Sequence, residues 1–177
     1  MSGPAALHHI EDPFGFARAA EHCSGQLALA ALSRLQDRLS SNAGVVSYIV
    51  RGGLDERERP LLKLKIAADL GLRCDRCLLP LVYPLALNSR VLLARPGEVP
   101  VDDDDPETPE WIEALRDLDL QELVEEEILL GLPLAVRHDR GNCVPAGAGA
   151  IRQGENEAPF AKLADLLKVK AGRADRQ

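Results

Sequence analysis

Two short stretches constrain this chain more tightly than anything else in it. In the first, Leu72-Arg73-Cys74-Asp75-Arg76-Cys77-Leu78-Leu79-Pro80, two thiols stand two residues apart between strand-like runs. In the second, His138-Asp139-Arg140-Gly141-Asn142-Cys143, an imidazole and a thiol follow far downstream. Thiolate and imidazole are the usual ligands of tetrahedral zinc, and a two-residue gap lets both sulfurs of a tight turn face one ion. If the four donors meet, everything between them is a scaffold that returns to its own corner. The Cys74/Cys77 half is the more specific; the looser His138/Cys143 half says little alone. Two readings stay open: a structural zinc held by Cys74, Cys77, His138 and Cys143, or two reduced thiols packed at a strand corner with the downstream pair unrelated.

Other chemistry finds less support. A thioredoxin-like dithiol needs its first cysteine at a helix N-terminus, which lowers the thiol pKa. Here Leu78-Leu79-Pro80-Leu81 reads as strand. A zinc deaminase needs His-x-Glu before its cysteine pair, and none is present. Walker, G-x-G-x-x-G, G-x-S-x-G and H-E-x-x-H motifs are absent as well. Glu125, Glu126 and Glu127 are consecutive, so on a helix they point apart and read as a solvated face.

Composition bounds the rest. The chain of 177 residues is near the size of one domain, and 46% hydrophobic content allows a real core. Only 3% is aromatic, so that core must be Leu, Val, Ile and Ala, and a stacking platform for single-stranded nucleic acid is not expected. No apolar run is long enough to span a membrane. Met1 to Glu11 lacks the basic-then-apolar order of a secretory signal, so a cytoplasmic location is expected, with cysteines free or metal-bound. The net charge of −7 is uneven: residues 98–127 hold 14 Asp/Glu against Arg116 alone. Such a surface repels phosphate and suits a basic partner.

Asp12-Pro13 predicts an N-cap and first helical turn, with a helix over Phe14 to His22 ended by Gly25. Gln26 to Leu29 reads as a brief strand. Leu32, Leu35 and Leu39 have helical spacing and predict a helix over Ser33 to Leu39. Val45 to Arg51 and the alternating Leu61 to Ala67 predict strands joined by a charged turn. Leu81 to Ala94 predicts a third, with Pro84 at a bulge or edge. Val101 to Pro109 reads as an acidic loop and Trp111 to Leu115 as a short strand. Asp119-x-x-Glu122 opens a helix to about Leu130 that buries Leu120, Leu123, Val124 and Ile128 and exposes the three glutamates. Arg51, Arg57, Arg59, Lys63, Lys65, Arg73 and Arg76 cluster in sequence along this hairpin and the dithiol turn. They are either ordinary strand-surface charge or a local phosphate-binding patch.

The order of these segments resembles the large ribosomal RNA subunit accumulation proteins, the bacterial YceD family. Cys74 to Pro80 is similar to its C-x-R-C-L-x-P signature. Asp119-Leu120 and Glu125 to Leu134 resemble its acidic helix running into Leu-Pro, and His138-Asp139 and Cys143 follow. Pro159-Phe160-Ala161 to Lys168 resembles its terminal N-P-F-x-x-L-x-x-L-K block. Ala135-Val136-Arg137 stands where Val-Pro-x is common, and Ala158-Pro159 replaces Asn-Pro. The resemblance implies a role in synthesis, processing or stability of 23S ribosomal RNA, and no known catalysis.

The expectation is an α+β domain over residues 1–145, with an antiparallel, strongly curved or barrel-like sheet flanked by helices. Residues 146–177 are expected to be a flexible linker and a short amphipathic helix whose Phe160, Leu163, Leu166 and Leu167 need a surface. The expected function is that of a non-enzymatic ribosome-biogenesis factor with a structural zinc, bound to a large-subunit assembly intermediate or a ribosomal protein. Local rRNA contact would come through Lys63, Lys65, Arg73 and Arg76. The rival readings are a binding module for a basic ribosomal protein, with an indirect rRNA effect, and a zinc- or dithiol-dependent enzyme.

Overall fold

The computed structural model describes residues 9–98, 109–114, 116–139 and 142–143. The chain divides into two units, Met1–Cys143 and Val144–Gln177, and every described residue lies in the first. The expected linker and C-terminal helix, Phe160 included, lie outside the described residues, as does most of the acidic loop.

Three long strands make the frame: β4 (Val45–Leu54), β5 (Pro60–Arg73) and β6 (Pro80–Ala94), an antiparallel meander. It is completed by β1 (His9–Ile10), β2 (His22–Ala28), β3 (Leu39–Ser41), β7 (Trp111–Glu113) and β8 (Leu118–Asp119). The main sheet has six strands in the order β2-β4-β5-β6-β7, with β3 against the far end of β5. The path is open at β2 and β7, so the pairing gives an open sheet rather than a closed barrel among the described residues. It is mixed, because β7 joins β6 in parallel. A separate two-stranded pair, β1 with β8, leads into the long helix.

Alternation explains which face is buried. Val46, Tyr48 and Val50 point inward on β4, and Leu62, Leu64 and Ile66 do so on β5, all at most 2% exposed. Register aligns them, with Tyr48 opposite Ile66 and Ile66 opposite Leu87. Each such side chain contributes roughly 1.5–3 kcal/mol by leaving water. Pro84 sits in an unshifted ladder opposite Asp69, on a stretch of β6 whose other side no described strand pairs. It occupies the edge position where a missing N–H costs nothing.

Two helices cover the inner face. In α1 (Pro13–Arg18) the Asp12 carboxylate accepts the Gly15 N–H at 2.9 Å and Pro13 supplies a preset φ. The helix ends sooner than expected, because Ala20 turns into left-handed backbone (φ 52°) and His22 already begins β2. Gly25 is therefore a strand residue, not a helix stop. Phe16 and Ala17 press so closely on β4 that a Cβ at Gly52 would collide with the Phe16 carbonyl. In α2 (Leu120–Gly131) Asp119 caps the Gln121 and Glu122 N–H groups at 2.7 and 3.3 Å. Leu120, Leu123, Val124 and Ile128 are buried as expected.

Two expectations fail here for one reason. The segment Ser33 to Leu39 is no α-helix: 3-10 turns occupy Leu29–Ala31 and Gln36–Arg38, and β3 follows. Seven residues seldom sustain an isolated helix, and side chains satisfy the backbone instead. The Gln36 amide donates to the Leu29 and Leu32 carbonyls, each at 2.7 Å. The Leu35 N–H donates to Glu125 Oε1 at 3.0 Å. Glu125 is thus 4% exposed and part of the core contact, not of a solvated glutamate face.

Candidate metal centre

The site forms where β5 turns into β6. Cys74 donates its N–H to the Leu79 carbonyl at 2.9 Å and accepts the Leu78 N–H on its own carbonyl at 2.8 Å. Leu78 closes this tight turn in left-handed backbone, φ 63°. The Arg76 N–H points at Cys74 Sγ, 3.4 Å away. Both cysteine side chains are consequently drawn inward, at 0% and 1% exposure.

Asp75 fastens the downstream chain to this turn. Its N–H donates to the Val136 carbonyl at 2.8 Å, and its Oδ2 accepts the Val136 N–H at 2.6 Å. This two-way clamp sets His138 two residues on. The Asn142 N–H, bonded to the Asp139 carbonyl at 3.1 Å, folds the chain back at Cys143. All four expected ligands therefore meet. Donor atoms of Cys74, Cys77, His138 and Cys143 lie within 4.8 Å of one another, so the group is able to hold a metal ion.

The distances fit one ion. Zn–S bonds of about 2.3 Å in a tetrahedron place two sulfurs about 3.8 Å apart; Cys74 Sγ and Cys143 Sγ are 3.7 Å apart. A sulfur–nitrogen edge would be about 3.6 Å; Cys77 Sγ and His138 Nδ1 are at 3.4 Å. With Nδ1 facing the sulfurs, His138 Nε2 lies 3.2 Å from the Pro80 carbonyl, where an N–H would donate. That is the usual outer partner of a ligating imidazole. Burial raises the Cys74 thiol, but backbone N–H groups of Cys77, His138 and Arg76 outweigh it and hold it at about 5. Cys143 is pushed up to about 11 by burial and by hydrogen bonds to Cys77 and Cys74. Cys23 stands apart, half-buried against the core, its thiol raised by burial.

The expected basic residues do not gather at this site. Arg73 and Arg76 are exposed beside it, whereas Lys63 and Lys65 are exposed farther back on β5. At about 3.4 Å per residue, Lys65 and Arg73 are roughly 27 Å apart along the strand. Asp75 and the Pro80 carbonyl are the contributors that reading the sequence misses. Nothing local marks Asp75 as anything but a solvated spacer; its role depends on where Val136 returns.

Fold and site define a small α+β domain with a closed three-cysteine, one-histidine clip. The family model described as Large ribosomal RNA subunit accumulation protein YceD matches residues 62–167. The match covers more than half of the chain and includes all four clip residues, and the chain belongs to this family. No curated protein and no solved structure matches it. Family membership carries a role in accumulation of large-subunit ribosomal RNA. No helix among the described residues is long and apolar enough to cross a membrane.

Proposed function

We propose that this protein is a non-enzymatic assembly factor that supports synthesis, processing or stability of 23S rRNA, with zinc as a structural staple. The observation that carries the second half is the filled donor set. Catalytic zinc keeps one position for water or substrate, whereas structural zinc takes four protein ligands. Cys74, Cys77, His138 and Cys143 supply four. Zinc bound there would neutralise clustered thiolates and fix the β5–β6 corner to residues 136–143. Asp75 and the Pro80 carbonyl orient the clip, and the exposed surfaces are left for a large-subunit assembly intermediate or a ribosomal protein.

A second reading, a binding module for a basic ribosomal protein, draws on one edge of the fold. Glu122 and Glu126 are exposed on α2, and Glu110 faces the half-buried Glu127. Burial first, then the Glu110 and Glu126 charges, push the Glu127 carboxyl upward, although Ser89 beside it pulls the other way. A cationic partner would relieve that repulsion.

Complementation tests the main reading. A strain lacking the gene should show reduced 23S rRNA, restored by wild type and not by Cys77→Ser. Restoration would also have to come from protein without hydrolase or oxidoreductase activity. Normal 23S rRNA in the deletion strain would overturn the reading. Retention of a basic ribosomal protein after ribonuclease treatment would favour the binding module.

A further inference from the structure

The outer face of the sheet carries a row of cations that neither the clip nor the core requires. Arg51 on β4 is opposite Lys63 on β5, and Lys63 is opposite Arg90 on β6. Beyond Arg51, on β2, stands His22. Lys65 lies one step along the same face, opposite Ile49 and Asn88. All five are exposed. Paired positions on neighbouring strands have Cβ atoms about 4.5–5.5 Å apart, where like charges repel and destabilise the sheet. No ion pair within 4.0 Å offsets Arg51, Lys63 or Arg90 among the described residues. Two carboxylates, Glu110 and Glu127, line a cavity of about 270 Å³ with Arg90 at the sheet edge.

We infer that this row, Arg51, Lys63 and Arg90 with Lys65 beside them, is a binding surface for the phosphate backbone of double-helical RNA. It rests on the family reading for the kind of polyanion. The form of the RNA comes from what the face lacks. Sheets that hold single strands stack bases on aromatic rings. Here Tyr48 and Tyr83 turn inward, and the outer neighbours of the row are Ser24, Ile49, Ala67 and Asn88. The exposed ring on this face among the described residues is Trp111, on edge strand β7 opposite Leu92 and outside the row. The row itself offers no ring to splay a base against, so it reads charge spacing and shape, as duplex-RNA binders do. Contact through phosphates carries no sequence preference by itself.

The test uses the full chain and two probes, a mixed-sequence RNA duplex of about 20 base pairs and poly(U) of matching length. Three to four phosphate contacts predict that raising salt from about 50 to about 200 mM weakens duplex binding roughly 40- to 150-fold. The Arg51→Gln/Lys63→Gln/Arg90→Gln variant should lose most of that dependence while melting no lower than wild type, since it also removes the cross-strand repulsion. Lys63→Gln alone should lower the log–log slope by about 0.9, and Arg38→Gln should leave it unchanged. A triple variant that keeps the wild-type slope, poly(U) preferred over duplex, or an acidic protein preferred over both would overturn the inference. Measuring 23S rRNA in the deletion strain separates the two ideas. Normal 23S with intact duplex binding sinks the family reading and leaves the surface standing. Reduced 23S with a wild-type-like triple variant sinks the surface alone.

Discussion

The two ends of β5 are held by different physics. Its first part, between β4 and β6, is fixed by leucine and isoleucine packed from both neighbours: Leu62, Leu64 and Ile66 are at most 2% exposed. Its last residues leave β4, take β3 as neighbour, and run into a turn where Leu78 and Leu79 face solvent at 69% and 45%. There the order comes from directed bonds: the Asp75–Val136 clamp and the four clip donors. Apolar burial is non-directional and cooperative, so damage to the first end should spread. Ligand bonds are local and depend on an ion, so damage to the second end should stay there.

The largest effect expected from breaking that contrast is Leu64→Ala, about 2–5 kcal/mol from lost burial and a cavity. Denaturant melts should show the whole domain weakened while metal content of the folded protein stays the same. Asp75→Ala should cost less, about 1–3 kcal/mol for the orphaned Val136 N–H. It should also lower zinc affinity roughly 10- to 100-fold, as loss of an outer partner does. Hydrogen exchange should place its damage at residues 74–79 and 136–138 and leave β4 protected. Competition with a chromophoric chelator gives the affinity.

The smallest effect sharpens the comparison at the β4–β5 turn. Burial raises the Asp55 carboxyl, but hydrogen bonds from the Arg59 side chain and the Arg59 and Arg57 N–H groups hold it below its ordinary range. A depressed folded pKa stabilises fully above the unfolded carboxylate value of about 3.9. The contribution disappears as pH falls through the lower folded value. Asp55→Asn should therefore cost about 1 kcal/mol near neutrality and flatten the acid limb of a pH–stability curve. It should not change metal content.

Much of the apolar half was legible in the sequence, because alternation over Val45 to Arg51 and Leu61 to Ala67 has one physical solution, a strand with one wet face. The buried stripe of α2 and the meeting of Cys74, Cys77, His138 and Cys143 could be read for similar reasons: period in one case, donor chemistry in the other. Glu125 could not, since its burial answers an N–H on Leu35, distant in sequence. Nor could the Ser33 to Leu39 turns, where leucine spacing mimicked a helix that side-chain hydrogen bonds replaced. The parallel addition of β7 and the separation of Lys63 from Arg73 follow from topology and strand length, which local pattern does not encode.

Metal content of tag-free protein, wild type and Cys77→Ser, measured with amide exchange on the same samples, tests the staple most directly. The account predicts about one zinc per wild-type chain. The variant should be metal-free, with exchange accelerated at the Cys74–Leu79 turn and unchanged at Val50 and Leu64. Wild type purified without metal, with a turn equally protected in both proteins, would contradict it.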